Sequence, residues 1–256
     1  MTKKHDIIWL ESVDSTNEEC KRHIQDLDNL SVVSASAQTD GKGQKGNRWH
    51  SSPEENLTFS IVLKFPCNAE VGQPEPVLAY DQFVLSEISA LSVTDLLASY
   101  GIYARIKWPN DIYVDGRKIC GILIENSLLG KWISHSIIGI GLNVNQRNFD
   151  VSLPDPTSMT LSCGHKFHLR ELLDEFMEIF SDYFDRYCHI KGGYGRLHRL
   201  YLSQLWRKDE WADFVETATS RKFTGMIKGV SDTGHLQIET KEGELKEFAF
   251  KEISFS

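Results

Sequence analysis

The chain has 256 residues, of which 41% are hydrophobic and 25% charged, with a formal net charge of -8. That length suits one sizeable domain with its own core plus a small second unit, and the acidic balance argues against a nucleic-acid binder, which needs a basic surface. Apolar runs such as Ile137 to Leu142 are too short to cross a bilayer, and the basic start at Lys3-Lys4 meets Glu11 and Asp14 too soon for a secretory signal. Cys20, Cys67, Cys120, Cys163 and Cys188 are odd in number and widely spread, with no C-x-x-C pair. A reduced cytoplasm fits them better than a disulfide or zinc framework.

Ile7 to Val13 reads as a strand, with Ser15-Thr16-Asn17-Glu18-Glu19 opening a helix after it. Val32 to Ala37 is a second strand that feeds a glycine-rich loop. In Leu57 to Phe65 the apolar residues alternate, as in a half-buried strand. Val77 to Tyr100 carries apolar residues at helical spacing and stops at Gly101, a suitable cap. Strands follow at Tyr103 to Trp108, Ile112 to Val114, Lys118 to Glu125 and Trp132 to Val144, with Asp115-Gly116 as a hairpin turn. A long helix from Leu169 to Tyr187 presents one apolar stripe, and another runs near Arg196 to Trp206. After Lys208 the pattern changes to five short strands, at Phe214 to Thr219, Lys222 to Val230, His235 to Thr240, Leu245 to Phe250 and Ile253 to Phe255. Such short strands suggest a small barrel. The sequence therefore predicts an α/β (α+β) domain over 1–208 and a β module over 209–256.

Five segments carry chemistry. In Gln38 to Trp49, Gly41, Gly43 and Gly46 would let backbone N–H groups turn toward an anion, with Lys42, Lys45 and Arg48 between them. The alternative is a solvated loop, and the spacing matches neither a P-loop nor a dinucleotide fingerprint. In Lys107-Trp108-Pro109-Asn110-Asp111, alternation places Lys107 opposite Ala104, Ile106 and Trp108, suited to act as a fixed charge; a solvent-facing lysine and simple turn chemistry are the alternatives. Gly121 interrupts a strand, which happens where a ligand approaches or a bulge forms. Ile138, Ile140, Leu142 and Val144 share a core face, while Gly139, Gly141, Asn143 and Asn145 share the other. That second face reads as a pocket floor ending in amides, or as a surface packed closely by a helix. Ser15-x-x-Glu18 has capping-box spacing, and spacing alone favours the cap over a ligand contact. No paired histidine ligands and no G-x-S-x-G nucleophile are visible.

In this order, Ser15-Thr16-Asn17, Gln38 through Trp49, the K-W-P-N-D stretch from Lys107, Lys118 through Glu125 and Gly139 through Asn145 resemble the biotin–protein ligase family. K-W-P-N-D followed by K-x-x-G-I-L-x-E is the specific part, and the resemblance covers nearly the whole chain. It implies a mixed-sheet catalytic domain akin to class II aminoacyl-tRNA synthetases and lipoate ligases, followed by an SH3-like barrel. It also implies the form without an N-terminal DNA-binding domain, since the first motif starts at Ser15. Carried over by position, Ser15, Thr16, Asn17 and Gln38 hold the biotin head group. Lys42, Gly43 and Gln44 cover biotin and its adenylate, Lys107 sits between the biotin carboxylate and the α-phosphate, and Gly121 lets biotin lie on the strand. Lys45, Arg48, Trp49, Asn110, Gly141 and Asn143 fall to ATP and the adenylate. Several relatives carry arginine where this chain has Gln44, so a charge is missing there.

The implied reaction joins biotin and ATP into biotinyl-5′-AMP, assisted by Mg²⁺ with Asp111 as its candidate ligand. Biotin then passes to a lysine of a biotin carboxyl carrier domain in a biotin-dependent carboxylase. The expected partners are these, with no nucleic acid and no membrane, in a cytoplasmic monomer or homodimer. The competing readings are a lipoate or octanoate ligase or transferase of the same superfamily, a non-catalytic biotin sensor, and a synthetase-like RNA binder.

Overall fold

A computed structural model describes residues 5–66, 76–188 and 194–255. Cys67 lies outside the described residues. Seven strands form one sheet: β1 (Ile7–Val13), β2 (Val32–Gln38), β3 (Leu57–Lys64), β4 (Arg105–Lys107), β5 (Asp111–Val114), β6 (Arg117–Leu129) and β7 (Trp132–Leu142). Their spatial order is β1-β2-β3-β7-β6-β5-β4. Only the β1–β2 pair is parallel, so the sheet is mixed.

The two sheet faces follow from the alternation of β3. Leu57, Phe59, Ile61 and Leu63 are all buried toward the helices, and Thr58 and Ser60 point the other way. Helices α2 (Phe83–Ser99) and α4 (Leu169–Cys188) cover the apolar face, with α5 (Tyr194–Ser203) packed on α2. Along α4, Leu172, Leu173, Phe176, Phe180, Phe184 and Tyr187 are buried. Phe176 meets Phe59 edge-on at 5.2 Å, and burying each such ring contributes about 1.5–3 kcal/mol. The opposite face carries the short α1 (Thr16–Arg22). No described helix is long and apolar enough to cross a membrane.

Several elements differ from the sequence reading, among them the strand expected at Lys118 to Glu125, which runs Arg117–Leu129, and the one expected at Phe214 to Thr219, which runs Trp211–Glu216. The Val77 to Tyr100 helix starts only at Phe83, because Val77 and Leu78 pair with the segment around Trp132 and a 3₁₀ turn intervenes at Ala79–Asp81. The helix expected to reach Trp206 ends at Ser203, where the chain pairs with β4: Ile106 N–H donates to Gln204 O at 2.9 Å and Trp206 N–H to Ile106 O at 2.8 Å. A five-residue helix, α3 (Met159–Cys163), had no signal strong enough to read; Ser158 caps it by accepting from Leu161 N–H.

The C-terminal strands are β8 (Trp211–Glu216), β9 (Lys222–Val230), β10 (Leu236–Thr240), β11 (Leu245–Phe248) and β12 (Ile253–Phe255). They pair antiparallel in the order β11-β10-β9-β8-β12, an SH3-like unit. This sheet is fastened to the K-W-P-N-D turn. Trp108 Nε1 donates to Gly234 O at 2.9 Å, and its ring meets Phe250 at 6.3 Å. Gly234 itself sits at φ +89, where a Cβ would press on the Phe83 ring at 2.6 Å.

Candidate active site

Sheet register builds the centre of the site. Across the strands, Thr58 pairs with Gly141, Gly141 with Gly121, Gly121 with Asp111, and Asp111 with Lys107. Cross-strand partners point to one face. The row therefore ends in a carboxylate and a lysine, with two glycines at its middle where side chains would otherwise fill the space. The indole of Trp49 lies in that trough. A Cβ at Gly121 would come within 3.1 Å of the ring, and one at Gly141 would run into it. In the adjacent row Ser60 pairs with Gly139 and Gly139 with Leu123, and a Cβ at Gly139 would run into the Asn17 amide.

Helix α1 supplies the polar end. Ser15 occupies its N-cap with extended backbone but makes no side-chain capping bond. The capping box fails because its partners are taken: Ser15 N–H donates to Asp14 at 2.7 Å, and Glu18 accepts from Lys21 at 2.8 Å and Lys42 at 2.6 Å. Thr16 donates to Gln38 Oε1 through its N–H (2.8 Å) and its hydroxyl (3.2 Å). The Ser60 hydroxyl bonds Thr16 Oγ1 at 2.7 Å and Asn17 Oδ1 at 2.6 Å, and Asn17 Nδ2 donates to Glu125 at 2.8 Å. Ser15, Thr16, Asn17 and Ser60 are all buried. A buried polar set whose members fix one another presents a rigid face to a ligand.

The glycine-rich segment is folded rather than open. Lys42 and Arg48 form an antiparallel bridge, Gly43 N–H donates to Asn47 O at 2.7 Å, and Trp49 N–H to Gly41 O at 2.9 Å. Those two N–H groups are spent within the hairpin, so that of Gly43 is not free to join the expected anion nest. Its cations are also engaged, Lys42 with Glu18 at 2.6 Å and Arg48 with Asp40 at 3.1 Å. The Lys45 side chain lies outside the described residues.

Lys107 is half-buried, and its Nζ donates to the Tyr113 hydroxyl at 2.9 Å. Burial lowers its pKa, partly offset by nearby Asp111. Asp111 Oδ1 lies 2.6 Å from Lys118 Nζ, and that ammonium stands 5.7 Å from the centre of the Trp49 ring. A cis peptide bond joins Trp108 to Pro109. Asn110 lines the cleft, but its amide nitrogen donates to Ile122 O at 2.8 Å and so anchors the turn.

These groups surround one cleft of about 290 Å³. Ser15, Thr16, Asn17, Gln38, Lys42, Gly43, Gln44, Arg48, Trp49, Lys107, Asn110, Asp111, Gly121 and Gly141 all line it. Asn143 does not. It lines an adjoining cavity of about 370 Å³ with Arg48, Trp49, Lys118, Phe149, Leu153, Pro154 and Pro156, so Trp49 and Lys118 border both spaces. The amides at the end of the supposed pocket floor are already committed: Asn143 Nδ2 donates to Thr157 O, and Asn145 bonds Phe167 and Thr160. Two polar atoms of the main cleft are left over. Gln44 Oε1 and Trp49 Nε1 are buried and lack a hydrogen bond, whereas Asp111 Oδ1 is met by the Lys118 ammonium. Leaving such an atom unmet costs about 1–3 kcal/mol, so their convergence marks a place that a polar ligand completes.

The sequence reading passed over Lys118, Ser60 and Glu125. Lys118 and Glu125 stand within the K-x-x-G-I-L-x-E segment and could have been singled out there. Ser60 had only the signal of a polar alternate face on β3.

Among the described residues, no cluster of three or more His, Cys, Asp or Glu side chains is placed to hold a metal. A phosphate-borne Mg²⁺ needs only one or two protein carboxylates. Asp111 lines the cleft and fits that lesser demand, its Oδ1 being shared with Lys118.

The chain is similar to several known proteins. The chain is 29% identical over 218 residues to the bifunctional ligase/repressor BirA of Bacillus spizizenii, and spans 62% of that protein's length. It is 29% identical over 244 residues to the biotin–[acetyl-CoA-carboxylase] ligase of Paracoccus denitrificans, covering 91% of this chain and 94% of that one. Among solved structures it is similar to the biotin protein ligase from Aquifex aeolicus in complex with biotin and ATP, with a TM-score of 0.79, 28% identity and 98% coverage of both chains. Residues 215–256 match the biotin protein ligase C terminal domain, and with residues 9–143 matching it from β1 to the pocket floor, the chain belongs to the biotin/lipoate A/B protein ligase family.

Proposed function

We propose that this chain activates biotin with ATP and transfers it to a lysine of a biotin carboxyl carrier domain. The observation that carries the reading is the pair of unmet polar atoms, Gln44 Oε1 and Trp49 Nε1, sharing a cleft with Lys107. Biotin's ureido ring has donors and acceptors to match the Thr16, Asn17 and Gln38 face; a lipoyl ring has neither. The apolar cavity beyond Trp49, walled by Phe149, Leu153 and Pro156, suits a nucleobase.

Two anions must meet for the first step. An oxygen of the biotin carboxylate attacks the α-phosphorus of ATP, the bond to the bridging oxygen of the β-phosphate breaks, and pyrophosphate leaves. Lys107 and Lys118 line this cleft and offset the repulsion, and Lys107 stabilises the charge that builds on the α-phosphoryl oxygens. Mg²⁺ bound through the phosphates and Asp111 would neutralise further phosphate charge. In the second step the acceptor amine attacks the acyl carbon, the acyl–oxygen bond breaks, AMP departs and the amine loses a proton. We further infer that 1–208 forms the catalytic unit and 209–256 the β module.

The test is exchange of labelled pyrophosphate into ATP, followed by transfer to a purified carrier domain. Exchange that depends on biotin and not on lipoate supports the reading, as does biotin on the carrier lysine. Exchange with lipoate alone, or biotin binding without exchange, replaces it with the lipoate or the sensor reading.

A further inference from the structure

Lys107 lacks a counterion where one would be expected. Its register partner Asp111 is engaged by Lys118, and among the described residues no carboxylate forms an ion pair with Lys107. What surrounds its ammonium is aromatic. Nζ lies 4.5 Å from the ring centre of Tyr113, 5.2 Å from that of Trp206 and 5.2 Å from that of Phe255. All three distances fall within the roughly 6 Å reach of a cation–π contact. The rings also hold one another, Tyr113 with Trp206 at 5.5 Å and Trp206 with Phe255 at 5.1 Å.

We propose that Trp206 and Phe255 are positioning residues for Lys107, completing with Tyr113 an aromatic cage that fixes its ammonium at the cleft wall without neutralising it. The proposal rests on the role given to Lys107 above. A lysine stem is flexible and must be fixed to serve as a placed charge. A carboxylate would fix it but would also cancel the charge that two substrate anions need. Ring faces attract the ammonium and leave its charge uncancelled.

Each wall of the cage is anchored independently. Tyr113 is on β5, two residues from Asp111. Trp206 is tied to the residue before Lys107, since its N–H donates to Ile106 O at 2.8 Å. Phe255 is held in β12 by pairing with Phe214, whose ring lies 5.2 Å away. A residue of the small C-terminal sheet thus reaches the lysine of the large one. The groups that set the charge of Lys107 are Asp111 and Arg207, with the Tyr113 hydroxyl as its hydrogen-bond partner.

The test compares Phe255→Leu, which keeps an apolar side chain without a ring, with Phe255→Tyr, which keeps the ring. Trp206→Leu repeats it at a second wall should Phe255→Leu fail to fold. Three quantities are read: kcat and biotin KM in pyrophosphate exchange, the alkaline limb of kcat against pH, and the ring-current shift of the Lys107 ε-methylene by NMR. The leucine variants should lose about tenfold in kcat at unchanged KM. Their alkaline limb should move to lower pH, because the attraction for the charged form is gone while burial remains. The ε-methylene signal should move toward its free-lysine position, and Phe255→Tyr should restore all three. Wild-type kcat and an unmoved methylene signal in both leucine variants would overturn the cage, as would a tyrosine variant as impaired as leucine. If Lys107→Ala leaves exchange intact, the role given to Lys107 fails instead, and the NMR shift still decides the cage.

Discussion

Gly121 and Gly141 are direct cross-strand partners on β6 and β7, and one indole, that of Trp49, lies over both. Each glycine inside a strand costs about 0.5–1 kcal/mol relative to alanine. The pair is explained by what it admits, a flat ring or a ligand lying directly on the sheet. Trp49 closes the glycine-rich hairpin and borders both cavities, so its position sets how far the two communicate.

The variant Gly141→Val should therefore block binding more than it harms the fold. A branched side chain at that position displaces the Trp49 ring, which sits on a surface hairpin and can swing away. Calorimetry is expected to show biotin and ATP binding weakened at least tenfold, with a melting temperature near that of the parent. Unfolding with no folded, non-binding species would instead mean that the ring–glycine contact is structural.

Lys107→Ala should lower biotin-dependent pyrophosphate exchange by on the order of 10²-fold or more, the usual cost of removing a group that stabilises developing charge. The fold should survive, because β4 is held by its pairing with β5 and with the 204–206 segment. Near-normal exchange in a folded variant would falsify the assignment.

Strands were legible where alternation was clean: β3 and β7 lie where apolar periodicity put them. The site was legible in part for the same reason, since glycines on a strand face have few uses. Misreadings came from competition that spacing does not record. Val77 and Leu78 continue a helical pattern but pair with another strand, and Glu18 stands at capping distance but is claimed by two lysines. Contacts between residues far apart in sequence were out of reach altogether. Nothing local links Lys107 to Trp206 and Phe255, or Trp108 to Gly234.

The pair His198 and Glu87 should make stability fall as pH rises. His198 Nδ1 lies 2.5 Å from Glu87 Oε1 between α5 and α2, with both side chains largely buried. The hydrogen bond that His198 donates to Glu87 holds the His198 pKa above its ordinary value, and Asp232 adds to this. A histidine whose folded pKa is raised stabilises fully below its unfolded value of about 6.5, and the gain is lost as pH climbs through the folded value. Burial also raises the Glu87 pKa, which acts in the same sense. Melting temperatures measured from about pH 6 to pH 9 should decline in the parent and decline less in Glu87→Gln. Parallel curves for the two proteins would show that the pair contributes nothing.

Gln44 should make the cleft leaky toward its activated intermediate. It opens the 3₁₀ turn of the hairpin, lines the main cleft, and its Oε1 is buried without a partner. An arginine there would place a charged donor where a neutral amide now stands. The nearest cations are poorly free to substitute, since Lys42 is paired with Glu18 and Arg48 with Asp40. A charge-assisted hydrogen bond is roughly twice as strong as a neutral one, so Gln44→Arg should gain about 1–2 kcal/mol in holding the adenylate phosphate. That corresponds to about tenfold slower release. The measurement is escape of labelled biotinyl-5′-AMP from each protein without acceptor. Slower escape from Gln44→Arg makes the native glutamine a cause of early release. Equal or faster escape would mean that Lys42 and Arg48 leave their carboxylates for the phosphate once the intermediate forms, and a Glu18→Gln variant, which frees Lys42 from one of those carboxylates, should then slow escape on its own.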